Sequence, residues 1–169
     1  MLATITTRPA TPEDIPHISA LHDRAFGPGR FARTAYRIRE QLGPGREISD
    51  FCRLALADDR IVAAIRMSEI TIGGKTGAAL LGPIVVSPDH AGQGYGRALI
   101  KEAMDAAREA GIAVVLLVGD EPYYGRMGFK QVTPGTIALP GPVNPARLLA
   151  VEFESGALAG FSGVVAARR

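Results

Sequence analysis

Residues 87–100 read SPDHAGQGYGRALI and lie between two segments of different periodicity. The preceding LLGPIVV is short, apolar and β-branched, the pattern of a buried strand. The following RALIKEAMDAAREAG places Ala98, Leu99, Ala103, Met104 and Ala107 at helical spacing. Gly92, Gly94 and Gly96 therefore stand where a strand turns into a helix. Without a Cβ, the backbone there can bend tightly and let a ligand come close. The first N–H groups of a helix lack intrahelical acceptors and carry the positive end of its dipole. Such a junction suits a phosphate or pyrophosphate.

Two familiar phosphate loops fit poorly. A Walker A loop needs a glycine five positions before its Gly-Lys-Thr, and before Gly74-Lys75-Thr76 that position is Glu69. A Rossmann fingerprint needs G-x-G-x-x-G at a first βα turn, whereas here the spacing is G-x-G-x-G, mid-chain, with Pro88 after the strand. The run V-x-P-x-x-x-G-x-G-x-G-x-x-L instead resembles the acyl-CoA loop of the GNAT family of N-acetyltransferases. A second segment, Tyr124-Gly125-Arg126-Met127-Gly128-Phe129, resembles the Y-x-x-x-G-F close of the same family, after an apolar strand at 114–118. The two together, with LLGPIVVSPDHAGQGYG and VGDEPYYGRMGF, look like a bacterial subgroup of small, single-domain members, with the likeness strongest over residues 80–130.

The resemblance implies a GNAT-type α/β fold of the mixed, α+β kind. Its central sheet is mostly antiparallel and flanked by helices, and a central parallel strand pair splays apart. It implies acetyl-CoA as cosubstrate, with the pyrophosphate held by Ala91, Gly92, Gln93, Gly94, Tyr95, Gly96 and Arg97. Backbone groups of Ile84, Val85 and Val86 would pair with the pantetheine amides as an added strand and donate to the developing oxyanion. Tyr124 would lie near the cofactor sulfur as general acid, since a phenol of ordinary pKa ~10 stays protonated at neutral pH. Tyr123 is the alternative. One departure is Ala91, where the family usually carries Gln or Arg, which removes a side-chain contact and leaves the backbone contacts.

The base is less legible. An alkyl ammonium of pKa ~10.4 sits about 3.4 units above neutrality, so freeing its lone pair costs about 4.6 kcal/mol. Glu69, late in a long strand, is the first expectation, and Asp120 and Glu121 are rivals. The reading is direct transfer of an acetyl group to a small-molecule or peptide amine. The alternatives are a longer acyl group, or an acyl-CoA-binding regulatory module that has lost turnover.

Bulk properties narrow the rest. The 169 residues suit one domain, 1–169, large enough to bury a core. Apolar residues make up 47%, yet no run approaches the ~18 residues of a membrane span. MLATITTRPA has no basic start followed by an apolar stretch, so no secretory signal is expected. The single cysteine, Cys52, fits a reducing, cytoplasmic setting. His17, His22 and His90 are scattered, so no metal is expected. A net charge of +2 gives no electrostatic case for nucleic acid, and a monomer or homodimer without membrane partners is expected.

Along the chain, 4–8 reads as a strand and Thr11-Pro12-Glu13-Asp14 as a helix start, with a helix to Phe26. Residues 31–42 read as a second helix whose Arg30, Arg33, Arg37 and Arg39 form a solvated face. Strands follow at 51–57, 61–72 and 78–86, the last interrupted by Gly82-Pro83, a mark of a bulge or an edge. Residues 133–147 read as a Gly/Pro-rich loop, 148–153 as a strand, and ALAGFSGVV as a possible further strand. The acceptor pocket is expected from residues 26–42 and 133–147.

Overall fold

The alternating and apolar runs pair into one mixed sheet in a computed structural model that describes residues 5–26, 48–141 and 143–168. The helix expected at 31–42 lies outside these residues, as does the 27–42 part of the expected acceptor region. The strands are β1 (Ile5–Pro9), β2 (Arg53–Ala57), β3 (Arg60–Ile72), β4 (Lys75–Val86), β5 (Val114–Val118), β6 (Lys130–Gln131), β7 (Ile137–Ala138), β8 (Leu148–Glu152) and β9 (Gly163–Ala167). The helices are α1 (Ile15–Phe26), α2 (Tyr95–Glu109) and the short α3 (Glu121–Tyr124), which tightens into a 3-10 turn at Gly125–Met127.

The sheet runs β1-β2-β3-β4-β5-β8-β6, and β9 lies against the second half of β3 and also pairs β7. Neighbours are antiparallel except β4–β5 and β7–β9. The sheet is thus mostly antiparallel around a central parallel pair, as the resemblance implies. β7 lies within the 133–147 stretch expected as a loop, and β9 extends the edge of β3, a pairing that no local pattern encodes.

α2 presents Leu99, Ile100, Ala103 and Ala107 to Ala63, Ile65, Met67, Ala79, Leu81, Val115 and Leu117 of the sheet. Its alanines let the helix approach closely, and each fully buried aliphatic side chain contributes about 1.5–3 kcal/mol. On the opposite face, Ile18 and Leu21 of α1 pack with Leu54, Ala64 and Val85. A second apolar group there joins Ile70, Ile72, Leu80, Val114 and Leu116 to Ile137, Phe161 and Val165.

The entry to α1 is tied down by charge. Arg8 donates two hydrogen bonds of 2.8 Å to the Asp14 carboxylate, and the Thr11 N–H donates a third at 2.8 Å. The Arg8 guanidinium, aided by Thr11, holds the Asp14 carboxyl far below the ordinary carboxylate range, against the opposing effect of burial. A depressed folded pKa contributes stability that is present above the unfolded value of ~3.9 and is lost as pH falls through the folded one. Asp14→Asn is therefore expected to cost about 1–2 kcal/mol at neutral pH, Arg8's partial exposure reducing the effect. Denaturant unfolding at pH 7 and pH 3 checks this, since the gap between the two proteins should narrow at the lower pH.

Candidate active site

The interruption at Gly82-Pro83 lies in the middle of the sheet. Ile65 faces Ile84 and Met67 faces Leu81, so Arg66 alone stands opposite both Gly82 and Pro83. This is a β-bulge, which bends the strand that carries the extra residue. Gly82 takes φ +119°, a conformation open to glycine, and Pro83 has no N–H to give to a ladder. β4 pairs β5 only at Ala78–Val114, Ala79–Val115 and Leu80–Leu116. Beyond Leu80, among the described residues, no strand covers this edge of β4. The parallel pair therefore splays; Leu81, Gly82, Pro83 and Ile84 border the opening, and Val85 and Val86 continue β4 beyond it.

A cleft of about 280 Å³ occupies the splay. Leu81, Pro83, Ile84 and Leu117 line it, with Asp120, Tyr123, Tyr124 and Arg147 among its polar members. Ile84 and Val86 are half-buried on the α2 side, whereas Val85 is buried on the α1 side. A cofactor contact from Val85 would thus be through its backbone.

The glycine run lies beside the cleft, next to its Ile84 and Tyr123. A 3-10 turn at Pro88–His90 leads from β4 into Ala91, Gly92, Gln93 and Gly94, all exposed. Gly94, the residue before α2, has φ +88° and no side chain to cap the helix. The first intrahelical bond runs from Ala98 N–H to Gly94 O, 3.1 Å, so the amides of Tyr95, Gly96 and Arg97 precede the helical ladder. The Tyr95 ring itself is buried and meets His90 edge-on at 5.8 Å, so Tyr95 offers a ligand only its backbone. The Arg97 side chain is exposed. A Cβ on Gly96 would stand 3.5 Å from Ile84 Cδ1 and 3.8 Å from both Val86 Cγ2 and Tyr123 Oη. Gly96 thus faces the passage between the loop and the cleft.

Tyr124 sits on the cleft wall, its ring edge-on to Tyr123 at 4.9 Å and to Phe129 at 6.1 Å. The ring lies over Gly119, where a Cβ would come within 2.8 Å of its Cδ2, so residue 119 must be glycine for Tyr124 to lie there. Burial pushes the Tyr124 phenol above its ordinary value, and the neighbouring Tyr123 and Asp120 add to this while Arg147 opposes it.

The three carboxylates weighed as bases separate clearly. Glu69 faces Ala79, two positions below the cleft-lining Leu81, or about 7 Å along the strand. Its carboxylate accepts from Arg168 at 3.0 Å, and the two side chains are 38% and 47% exposed. The structure does not bring Glu69 to the cleft, because its partner Ala79 is still paired with Val115 and the sheet opens only beyond Leu80. Glu121 folds back over Gly125, 2.7 Å from where a Cβ would be. Asp120 is the one of the three that lines the cleft. Glu69→Gln is expected to give a pH–rate profile of kcat/KM superimposable on the wild type. Its unfolding free energy should stay within about 1 kcal/mol, as for other exposed pairs.

Sequence reasoning missed Arg147. No motif contains it, but Asn144-Pro145 is a readable helix-start signal that places it. The Asn144 side chain accepts from Ala146 N–H at 3.0 Å, and the turn delivers Arg147 to the start of β8.

Comparison with known proteins agrees with this geometry. Residues 6–132 match the acetyltransferase (GNAT) domain family model. YhbS of Escherichia coli K12, an uncharacterized N-acetyltransferase, is 27% identical over 159 residues, 91% of this chain and 90% of that one. The crystal structure of E. coli YhbS in complex with CoA superposes with a TM-score of 0.81 at 25% identity, over 99% of this chain and 91% of that one. A GNAT family acetyltransferase from Brucella melitensis in complex with acetyl-CoA gives 0.72 at 26% identity, over 98% and 97%. With the splayed parallel pair, the glycine turn into α2 and the family match over most of its length, the chain belongs to the GNAT family of N-acetyltransferases.

Proposed function

We propose that the chain transfers an acetyl group from acetyl-CoA to an amine by direct attack, with the cofactor lying across the glycine turn and the splay. The observation that carries this reading is that the open edge of β4 and Tyr124 line one cleft, and that Gly96, in the uncapped first turn of α2, lies beside its Ile84 and Tyr123. Acetyl-CoA supplies an activated thioester there. CoA and acetyl-CoA in the two similar crystal structures support the fit.

The chain's own residues divide the work. Amides of residues 95–97, with the exposed backbone of 91–94, bind the pyrophosphate, and loss of a long side chain at Ala91 leaves these donors intact. Backbone groups of 84–86 pair with the pantetheine arm and orient the thioester. An N–H of this edge polarises the carbonyl where negative charge develops. Tyr124 donates its proton to the departing sulfur, its raised pKa keeping the phenol protonated. Asp120, the one of the three carboxylates that lines the cleft, receives the amine's proton, directly or through water.

Calorimetry with CoA and acetyl-CoA, followed by a thiol-release assay over a panel of amines, tests the reading. One-to-one binding with turnover on at least one amine is expected. Binding without turnover on any amine would identify an acyl-CoA-binding module, and no binding would overturn the reading altogether.

A further inference from the structure

Arg147 and Asp120 meet at the mouth of the cleft. Arg147 Nε lies 3.3 Å from Asp120 Oδ1, with the side chains 50% and 76% exposed. An ion pair so exposed adds little to folding. Asp120 precedes α3 at the position where aspartate ordinarily caps a helix, yet its side chain makes no cap bond and is turned to Arg147. A locally favourable bond is thus forgone at the cleft mouth, and departures of this kind concentrate at functional sites.

The backbone fixes Arg147 just as firmly. Its carbonyl accepts from Gly119 N–H at 2.9 Å, and its N–H donates to Asn144 O at 2.8 Å. It is the only cationic side chain lining the cleft among the described residues. Its charge opposes the rise in the Tyr124 pKa, and the two side chains line the same cleft. A guanidinium has five donors in a planar fork, and Asp120 engages the Nε side. The remaining donors match the two oxygens of a planar carboxylate.

Resting on the acetyl-transfer reading, we propose that Arg147 reads a carboxylate on the acceptor and that Asp120 positions it for this. The acceptor class is the free amino acid. Arg147 and Tyr124 wall the same small cleft, so a small acceptor that carries its carboxylate near its amine can meet both. A polyamine offers no such carboxylate, and a polypeptide N-terminus offers one only where its first residue is acidic.

The test compares matched acceptors, each an amino acid, its primary amide and its decarboxylated amine, at saturating acetyl-CoA. The wild type should favour the acid over its amide in kcat/KM. In Arg147→Gln this ratio should fall about ten- to a hundredfold, mostly through KM. Arg147→Lys, which keeps the charge and loses the fork, should fall between. A pair that is merely structural would lower acid and amide together and leave the ratio unmoved, which would overturn the proposal. So would a wild type that favours the amide or the amine, or one that binds acetyl-CoA and turns over none of the acids. Failure of the underlying reading has a separate signature, namely no acetyl-CoA bound in calorimetry of the wild type.

Discussion

Tyr124→Phe is expected to lose ~10²–10⁴-fold in turnover, the usual cost of removing a positioned acid. Acetyl-CoA affinity should change little, because the phenol acts where the sulfur departs and not in ground-state binding. Phenylalanine keeps the ring over Gly119 and its edge contact with Phe129, so the fold should be undisturbed. The pH profile adds an independent check. Since burial raises the Tyr124 pKa, the alkaline fall in kcat should lie above the ordinary phenol range. Stopped-flow or steady-state thiol release, beside calorimetry of acetyl-CoA, separates the two quantities. Full turnover in Tyr124→Phe with loss in Tyr123→Phe would move the role to Tyr123, whose hydroxyl lies on the Gly96 side of the cleft.

Gly96→Val is expected to abolish most CoA binding while the protein stays folded. The added Cβ makes ordinary contacts of 3.5–3.8 Å, so the fold admits it, but the branched side chain then fills the passage between β4 and Tyr123. Losing two charge-assisted hydrogen bonds, at about 1.5–3 kcal/mol each, predicts a ~10²–10⁴-fold weaker affinity. Gly96→Ala serves as control, since alanine in place of glycine inside a helix stabilises it by about 1 kcal/mol. Gly94→Val is less informative. Its φ of +88° would strain any branched residue, so an affinity loss there would mix ligand exclusion with backbone damage. Calorimetry beside thermal unfolding distinguishes the two.

Much of the site was legible because its parts are local. The glycine spacing and the flanking periodicities mark a strand-to-helix turn without any knowledge of distant contacts. Gly82-Pro83 announced a break in β4, and pairing with β3 made that break a bulge. Where the strand then points is a non-local matter, set by how early β5 leaves it. Arg147 was invisible for the same reason. It reaches the cleft only because β8 lies beside β5 and Gly119 binds its carbonyl, a contact across 28 residues of chain. Glu69 shows the converse. Its place late in β3 was read correctly, but the sheet opens at the other end, where the start of β3 lies beside the tip of β4. β7 spans only two residues, too few for any periodicity to register.

A crystal structure of this protein with CoA tests the proposed acetyl transfer most directly. Pantetheine amides are expected hydrogen-bonded to the backbone of residues 84–86, and pyrophosphate oxygens on the amides of residues 95–97. The sulfur is expected within about 3–4 Å of the Tyr124 hydroxyl. CoA bound away from the β4–β5 splay, or its sulfur turned out of reach of Tyr124, would overturn the proposal.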